Sequence, residues 1–165
     1  MEFNLPDGID GGIIAGFWHE DSFIMNLVLK RLAEDRDISV IVTSDERGDY
    51  IEFLLARCGG SAIRLPDGAK SRRFIGDVLA EAKRAEKSIA AAMDGPLGPR
   101  RVPKSLVFYL SERGQKEFVA FQTEYSKAAS VKKRWDHYKI PLPFTTVTVT
   151  AKKFGIADRK KLLDF

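Results

Sequence analysis

Four short apolar runs recur along the chain, each followed by a polar break and then by a helical stripe. They cover residues 13–17, 38–43, 61–65 and 88–93. None of them alternates apolar with polar residues, which is typical of strands buried on both faces of a parallel sheet. Successive strand-helix units require right-handed crossovers. The sequence therefore predicts an α/β protein with a mostly parallel sheet and helices on both faces.

Length and composition narrow the classes of function. At 165 residues we expect one domain covering 1–165. The formal net charge of +4 favours anionic ligands or an anionic membrane surface. We expect no nucleic-acid binding, because the aromatic residues are not interleaved with Lys and Arg as a stacking platform requires. Cys58 is the single cysteine and there are two histidines, so we expect neither a disulfide nor a metal site.

Three weaker patterns complete the expected fold. The helix after the first run has a stripe that should face the sheet, made of Phe23, Ile24, Leu27, Val28 and Leu32, and the second helix has one made of Tyr50, Leu54 and Leu55. Residues 1–11 are rich in Gly, Pro and Asp and predict a lead-in loop. Residues 145–150 alternate strictly, which predicts a half-exposed strand at a sheet edge.

The fourth apolar run ends abruptly in a turn that combines an acid, two glycines and two arginines. It reads Asp94-Gly95-Pro96-Leu97-Gly98-Pro99-Arg100-Arg101. Ligands of open α/β sheets bind at the carboxyl ends of the strands, so these residues lie where a substrate is expected. The alternative is a surface loop that Gly and Pro shape and whose arginines are only solvated.

His19 follows the first apolar run and therefore belongs to the same sheet edge as Asp94. An imidazole titrates near neutral pH without a large perturbation, which suits a general base. The alternative is a histidine that merely packs beside Trp18 or faces solvent.

Three segments carry a family likeness: Trp18-His19, the turn from Asp94 to Arg100, and Trp135-Asp136-His137-Tyr138-Lys139-Ile140-Pro141-Leu142-Pro143-Phe144. Together, over about residues 13–149, the chain resembles an uncharacterised bacterial family within the lysophospholipid and glycerol-phosphate acyltransferase superfamily. The resemblance implies a glycerol-phosphate acyltransferase-like fold. It also implies acyl transfer from acyl-CoA or an acyl carrier protein to a lysophospholipid or other phosphorylated acceptor, with no bound cofactor or metal.

The resemblance also implies roles for individual residues. The superfamily uses a His-x4-Asp pair to deprotonate the acceptor hydroxyl, and an arginine after the third strand with an acidic turn to hold its phosphate. By this likeness His19 is the base, Asp21 and Asp94 are acids of the catalytic group, and the phosphate-binding residues are Arg64, Gly95, Pro96, Arg100 and Arg101.

The chain departs from the family pattern at several positions. Ile24 stands where the aspartate of His-x4-Asp belongs, so the orienting carboxylate is expected from Glu20, Asp21 or Asp94. Leu97 stands where family members have an arginine, and Arg100 or Arg101 would then take the role of that arginine. Ala120 stands where members tend to have proline. An apolar segment ahead of the first strand is also missing. The alternative function is therefore a catalytically inactive module that binds a phospholipid or phosphometabolite.

The hydropathy of the chain and its two basic segments give expectations about where the protein is located and where it binds anions. No run approaches the 18 or so apolar residues that span a bilayer, and the first residues lack the features of a signal peptide, so we expect a cytoplasmic protein. The segment Lys132-Lys133-Arg134-Trp135 predicts peripheral contact with an anionic membrane, with a solvated loop as the alternative. A second anion-binding site is expected at the start of the third helix, formed by Lys70, Arg72 and Arg73.

Overall fold

The structure, a computed structural model, describes residues 2–4, 11–65 and 72–157. Within these ranges the chain forms nine strands and four α-helices. The strands are β1 (Glu2–Asn4), β2 (Ile14–Phe17), β3 (Asp37–Thr43), β4 (Ser61–Leu65), β5 (Lys87–Ala92), β6 (Glu117–Tyr125), β7 (Ala128–Ser130), β8 (Lys139–Pro141) and β9 (Val147–Ile156). The helices are α1 (Ser22–Ala33), α2 (Glu46–Ala56), α3 (Arg72–Ala82) and α4 (Ser105–Gly114).

Seven of these strands form one sheet, in the order β1-β9-β6-β2-β5-β3-β4. The five strands from β6 to β4 are parallel, and β9 runs antiparallel to β6. Strands β7 and β8 pair antiparallel in a separate hairpin. The prediction of an α/β protein with a mostly parallel sheet flanked by helices is confirmed.

The apolar runs are continuous because the sheet buries both of its faces. Successive side chains of a strand point to opposite faces, so Ala15 packs in the core under α1 and α2, whereas Ile14 packs in the core under α3 and α4. The two cores also receive alternate residues of β6, with Phe121 on the first side and Phe118 on the second.

The two central strands send their helices to opposite faces. Strand β2 leads to α1 on one side of the sheet, and its neighbour β5 leads to α4 on the other. Such a switch point leaves a crevice at the carboxyl ends of the two strands. Close packing at the centre requires small side chains, since a Cβ atom on Gly16 would lie 2.7 Å from the ring of Phe118.

Helix α1 is rotated relative to its predicted stripe. Ile24, Val28 and Leu32 are buried as expected, but Phe23 and Leu27 are 43% and 47% exposed, and Met25 and Leu29 are buried in their place. Adjacent apolar positions allow two overlapping stripes on this helix, and packing against the sheet selects the one that contains Met25 and Leu29. In α2, Leu55 is buried, whereas Tyr50 is 60% exposed and does not pack into the core.

The sheet edge beside β6 differs from the sequence-based expectation. Residues 2–4 of the expected lead-in loop form β1, which pairs in parallel with β9, and residues 5–10 lie outside the described residues. Strand β9 is therefore enclosed between β6 and β1 rather than lying at the edge. Its alternation still holds, with Val149 buried and Thr150 exposed.

The burial of position 24 yields a stability prediction. Ile24 is 3% exposed, so we expect Ile24→Asp to lower the free energy of unfolding by about 3 kcal/mol or more, because a carboxylate enters the core without a partner. Leu27→Asp, on the exposed face of the same helix, is the matched control and should change it by less than about 1 kcal/mol. Urea unfolding of both variants measures the difference, and equal losses would contradict this assignment of the buried face.

Candidate active site

His19 lies directly after β2, in a short 3₁₀ turn, His19–Asp21, that leads into α1. Its Nδ1 lies 2.9 Å from Oδ2 of Asp136, a residue that is fully buried. An ionised carboxylate only accepts hydrogen bonds, so Nδ1 carries the proton and Nε2 is the basic nitrogen of the neutral ring. The His19 side chain is 20% exposed. The pair thus has the arrangement of a general base and the acid that orients it.

Asp136 is held in its ionised form by its neighbours. Arg134 donates from Nε and Nη2 to the two carboxylate oxygens at 2.9 and 2.7 Å, and the backbone N–H of Tyr138 donates at 3.2 Å. Burial alone would raise the pKa of Asp136, but the hydrogen bonds from Arg134 and His19 outweigh it and lower the pKa to about 2. The expectation that Glu20, Asp21 or Asp94 orients His19 is therefore wrong.

Asp94 joins the turn that follows β5 to the turn that follows β2. Its carboxylate is fully buried and accepts from two backbone N–H groups, that of His19 at 3.0 Å and that of Arg101 at 3.1 Å. His19 and Asp94 thus lie at one sheet edge, as the sequence predicts. The contact is with the backbone of His19 and not with its imidazole, so Asp94 fixes where His19 sits.

Glu20 is another buried acid of this edge, and cations surround it. Its side chain is fully buried and accepts from Arg100, from Arg101 at 2.7 Å and from Lys139 at 2.8 Å. Burial would raise the pKa of Glu20, but the hydrogen bonds from Lys139 and Arg101 outweigh it and hold the pKa below its ordinary value. Glu20 therefore binds both arginines that the sequence assigns to the substrate phosphate.

Asp21 is buried next to Glu20 but has weaker partners. Tyr125 donates its hydroxyl to Oδ1 at 3.0 Å, and the ammonium of Lys139 lies 3.7 Å from the same atom. Burial raises the pKa of Asp21 from 3.8 to about 6, against the opposing effects of Lys139 and Tyr125. Asp21 contacts β6 and β8 rather than the imidazole, and its side chain does not cap α1.

A cavity of about 560 Å³ opens beside His19 at the carboxyl ends of the central strands. Its interior wall is mostly apolar and comes from both faces of the sheet, with Phe17, Leu29, Val42, Ile51, Leu65, Ala91, Ala92 and Leu106. Polar and charged side chains line the cavity as well, namely His19, Ser22, Asn26, Thr43, Glu46, Arg47, Tyr50, Arg134 and Tyr138. Gly95 and Pro96 also line it. The volume and the mostly apolar wall suit a ligand that has an apolar part.

Arg64 lies apart from this group of residues. Its guanidinium donates to Asp49 at 2.6 Å and to Glu52, both on α2, and it does not line the cavity. The side chain leaves β4 on the side of the sheet that α2 covers. Arg100 and Arg101 lie at the same sheet edge as His19 and Asp94, whereas Arg64 does not, and neither Arg100 nor Arg101 lines the cavity beside His19.

Trp135, in the basic segment, is half-buried and packs against His19 and Gly98. Its ring centroid lies 5.2 Å from that of His19, and a Cβ atom on Gly98 would lie 2.6 Å from the indole. Arg134 is occupied by Asp136 and by the ring of Tyr138, 4.8 Å away. Lys132 and Lys133 are exposed, and of the other basic positions Lys70 lies outside the described residues.

Among residues 2–4, 11–65 and 72–157, no group of three or more His, Cys, Asp or Glu side chains is arranged to hold a metal ion. In the same ranges no helix is long and apolar enough to cross a membrane. In comparisons with known proteins, no family model matches the chain, and no match is found among curated proteins or solved structures. Membership of the acyltransferase superfamily stays a prediction.

Three residues of the site were not predicted as site residues: Arg134 and Asp136, from the loop between β7 and β8, and Lys139, the first residue of β8. All three belong to the basic and aromatic segments quoted above, and Asp136 is the one acidic residue there. The sequence signal that could have identified Asp136 is that it is a single acid within a motif that already carries the family likeness.

The raised pKa of Asp21 predicts a pH-dependent stability. Between about pH 4 and pH 6 the folded protein keeps a proton on Asp21 that the unfolded chain has released. The free energy of unfolding of the wild type therefore falls as the pH rises through this window, and Asp21→Asn lacks this loss. Urea unfolding across the window should favour the variant by an increment that grows to at most about 3 kcal/mol. A difference independent of pH would contradict the raised pKa.

Proposed function

We propose that this chain is an acyltransferase-like protein in which His19 is the general base. It transfers an acyl group from a thioester donor, acyl-CoA or an acyl carrier protein, to a hydroxyl of a lysophospholipid or other phosphorylated acceptor. The observation that carries the proposal is an imidazole, oriented by a buried carboxylate, in the wall of a mostly apolar cavity. We place this activity in the cytoplasm, on lipids of an anionic membrane surface.

The chemistry requires one base and no cofactor. Nε2 of His19 accepts the proton of the acceptor hydroxyl while its oxygen bonds to the thioester carbonyl carbon. The tetrahedral intermediate then collapses, the carbon–sulfur bond breaks, and the imidazolium returns its proton to the leaving thiolate. Asp136 stabilises the imidazolium and keeps the ring in the required tautomer, so it is a positioning residue.

The cavity wall supports an acyl chain as part of the ligand. The chain would lie along the apolar residues, while polar groups at the His19 end meet the ester and the headgroup. Arg101 is half exposed and a third of Arg100 is accessible, so donors of these guanidinium groups that do not bind Glu20 can reach an anion.

A second candidate, a binding module without turnover, is favoured by a different observation. Arg64, Arg100 and Arg101 are all bound to carboxylates of the chain itself, which leaves fewer donors for a phosphate than the family pattern implies. Such a module would hold a phospholipid or phosphometabolite in the same cavity, and His19 would then contribute contacts rather than proton transfer.

Substitution of the dyad separates these candidates. In an assay with labelled acyl-CoA or acyl carrier protein and a panel of lysophospholipids, we expect His19→Ala and Asp136→Asn each to lower kcat by about 10²–10⁴-fold. His137→Asn is the matched control, because His137 is an exposed histidine of the same segment and asparagine tolerates its left-handed φ of 50°, so this variant should retain the wild-type rate.

Binding measured on the same variants completes that experiment. Acyl transfer that persists unchanged in His19→Ala would overturn the assignment of the base. Lysolipid binding without turnover in the wild type would instead establish the binding module.

The size of the cavity predicts a limit on chain length. Ala92 lines the cavity from β5, and Ala92→Phe should fill part of it, so that the longest acyl chain bound becomes shorter. Ala80→Phe, at an exposed position of α3, is the control for adding a phenyl ring elsewhere. Competition between fluorescent and unlabelled fatty acids of increasing length measures the limit, and an unchanged limit in Ala92→Phe would place the chain elsewhere.

A further inference from the structure

The hairpin of β7 and β8 has its charged side turned inward and its apolar side turned outward. Lys139 reaches inward to the buried Glu20. Ile140 points the opposite way and is paired with Ala129, and the ladder continues through a hydrogen bond from the N–H of Val131 to Tyr138. Ile140 and Val131 are 40% and 39% exposed. An inner face that is ionic and an outer face that is apolar reverse the usual arrangement of a surface hairpin.

The residues that follow the hairpin extend this apolar face. Leu142 is 43% exposed, and Phe144 is completely exposed with a left-handed φ of 61°. A left-handed conformation is unfavourable for a bulky residue, and an exposed ring buries no apolar area that would stabilise the fold. The folding of this chain therefore gives no reason for phenylalanine at position 144. We call Ala129, Val131, Ile140, Leu142 and Phe144 the hairpin surface.

The charge around the hairpin surface is positive. Between residues 126 and 146 the chain has five Lys and Arg residues and a single acid, Asp136. Arg134 pairs with Asp136 and Lys139 pairs with the buried Glu20, so the lysines supply the positive charge of the surface. Lys127, Lys132 and Lys133 are exposed there. Exposed apolar side chains within a belt of lysines match the interface of a bilayer that contains anionic lipids.

The hairpin surface also belongs to the side of the molecule on which the cavity opens. Tyr138 and Arg134, in the loop that joins β7 to β8, line the cavity, and so does Pro96. Pro96 is followed by Leu97, which is 88% exposed. Exposed apolar side chains thus flank the cavity on two different loops.

We infer that the hairpin surface docks on an anionic bilayer, with Ile140 and Phe144 among the acyl chains and Lys132 and Lys133 at the headgroups. This replaces Trp135, which packs on His19, as the anchoring aromatic. The inference rests on the membrane location in the proposed function and adds the surface that makes the contact. Docking itself requires neither His19 nor acyl transfer, so an inactive protein would dock equally.

Flotation with lipid vesicles tests the docking. We expect the full-length chain to float with vesicles of phosphatidylcholine and phosphatidylglycerol but not with phosphatidylcholine alone, and to be released as salt is raised. Phe144→Asn combined with Ile140→Ser should reduce the bound fraction at least tenfold. Asparagine tolerates the left-handed conformation, so Phe144→Asn should fold as well as the wild type.

Charge and hydrophobicity each have a matched control. Lys132→Gln with Lys133→Gln should remove the preference for anionic vesicles, whereas Lys83→Gln with Arg113→Gln removes the same charge from exposed positions at the opposite edge of the sheet and should leave flotation unchanged. Phe53→Ser, at a half-exposed phenylalanine of α2, should likewise leave it unchanged.

A gain-of-signal measurement gives the depth. In Phe144→Trp, brominated lipid chains should quench the added fluorescence, and in Phe53→Trp they should not. The inference is overturned by absence of flotation at low ionic strength, by equal losses in the hairpin and control variants, or by unquenched Phe144→Trp. A dimer in light scattering that Phe144→Asn dissociates would also overturn it and assign the surface to a second copy of the chain.

Discussion

The buried carboxylate of Glu20 determines how the loops at the carboxyl edge are arranged. A charge without exposure to water is tolerated only when it is paired and hydrogen-bonded, and Glu20 obtains its partners from two distant segments. Arg100 and Arg101 belong to the turn after β5, and Lys139 begins β8. A buried charge without partners costs several kcal/mol, so the cations of both segments are held around the residue that follows His19.

The charges of this edge balance as a group. Glu20, Asp21, Asp94 and Asp136 are buried acids, and they are matched by the cations Arg100, Arg101, Arg134 and Lys139 or by backbone N–H groups. His19 is the imidazole of this cluster and contacts the buried carboxylate of Asp136 through Nδ1. The contacts with Asp136 and Asp94 hold the imidazole in one orientation, which a general base requires.

The sequence predicts the parts of this arrangement that depend on local patterns. Continuous apolar runs specify the parallel sheet, and the helical spacing around Ile24 specifies its burial. The pattern does not predict the rotation of α1, because Met25 and Leu27 are both apolar and only contact with the sheet distinguishes them. The partner of His19 was beyond it too, because Asp136 lies 117 residues away and no periodicity relates the two positions.

Ile24 stands where a His-x4-Asp pattern would have its aspartate, and the carboxylate beside His19 reaches the imidazole by another route. At position 24 an acid would come from the buried face of α1, whereas Asp136 comes from a loop that Arg134 and Tyr138 hold. Lys139, the first residue of β8, directly follows that loop and reaches Glu20. Any displacement of residues 134–139 therefore removes the acid from His19 and a cation from Glu20 together, so the integrity of the dyad depends on the same hairpin whose outer face is apolar and whose neighbours are basic.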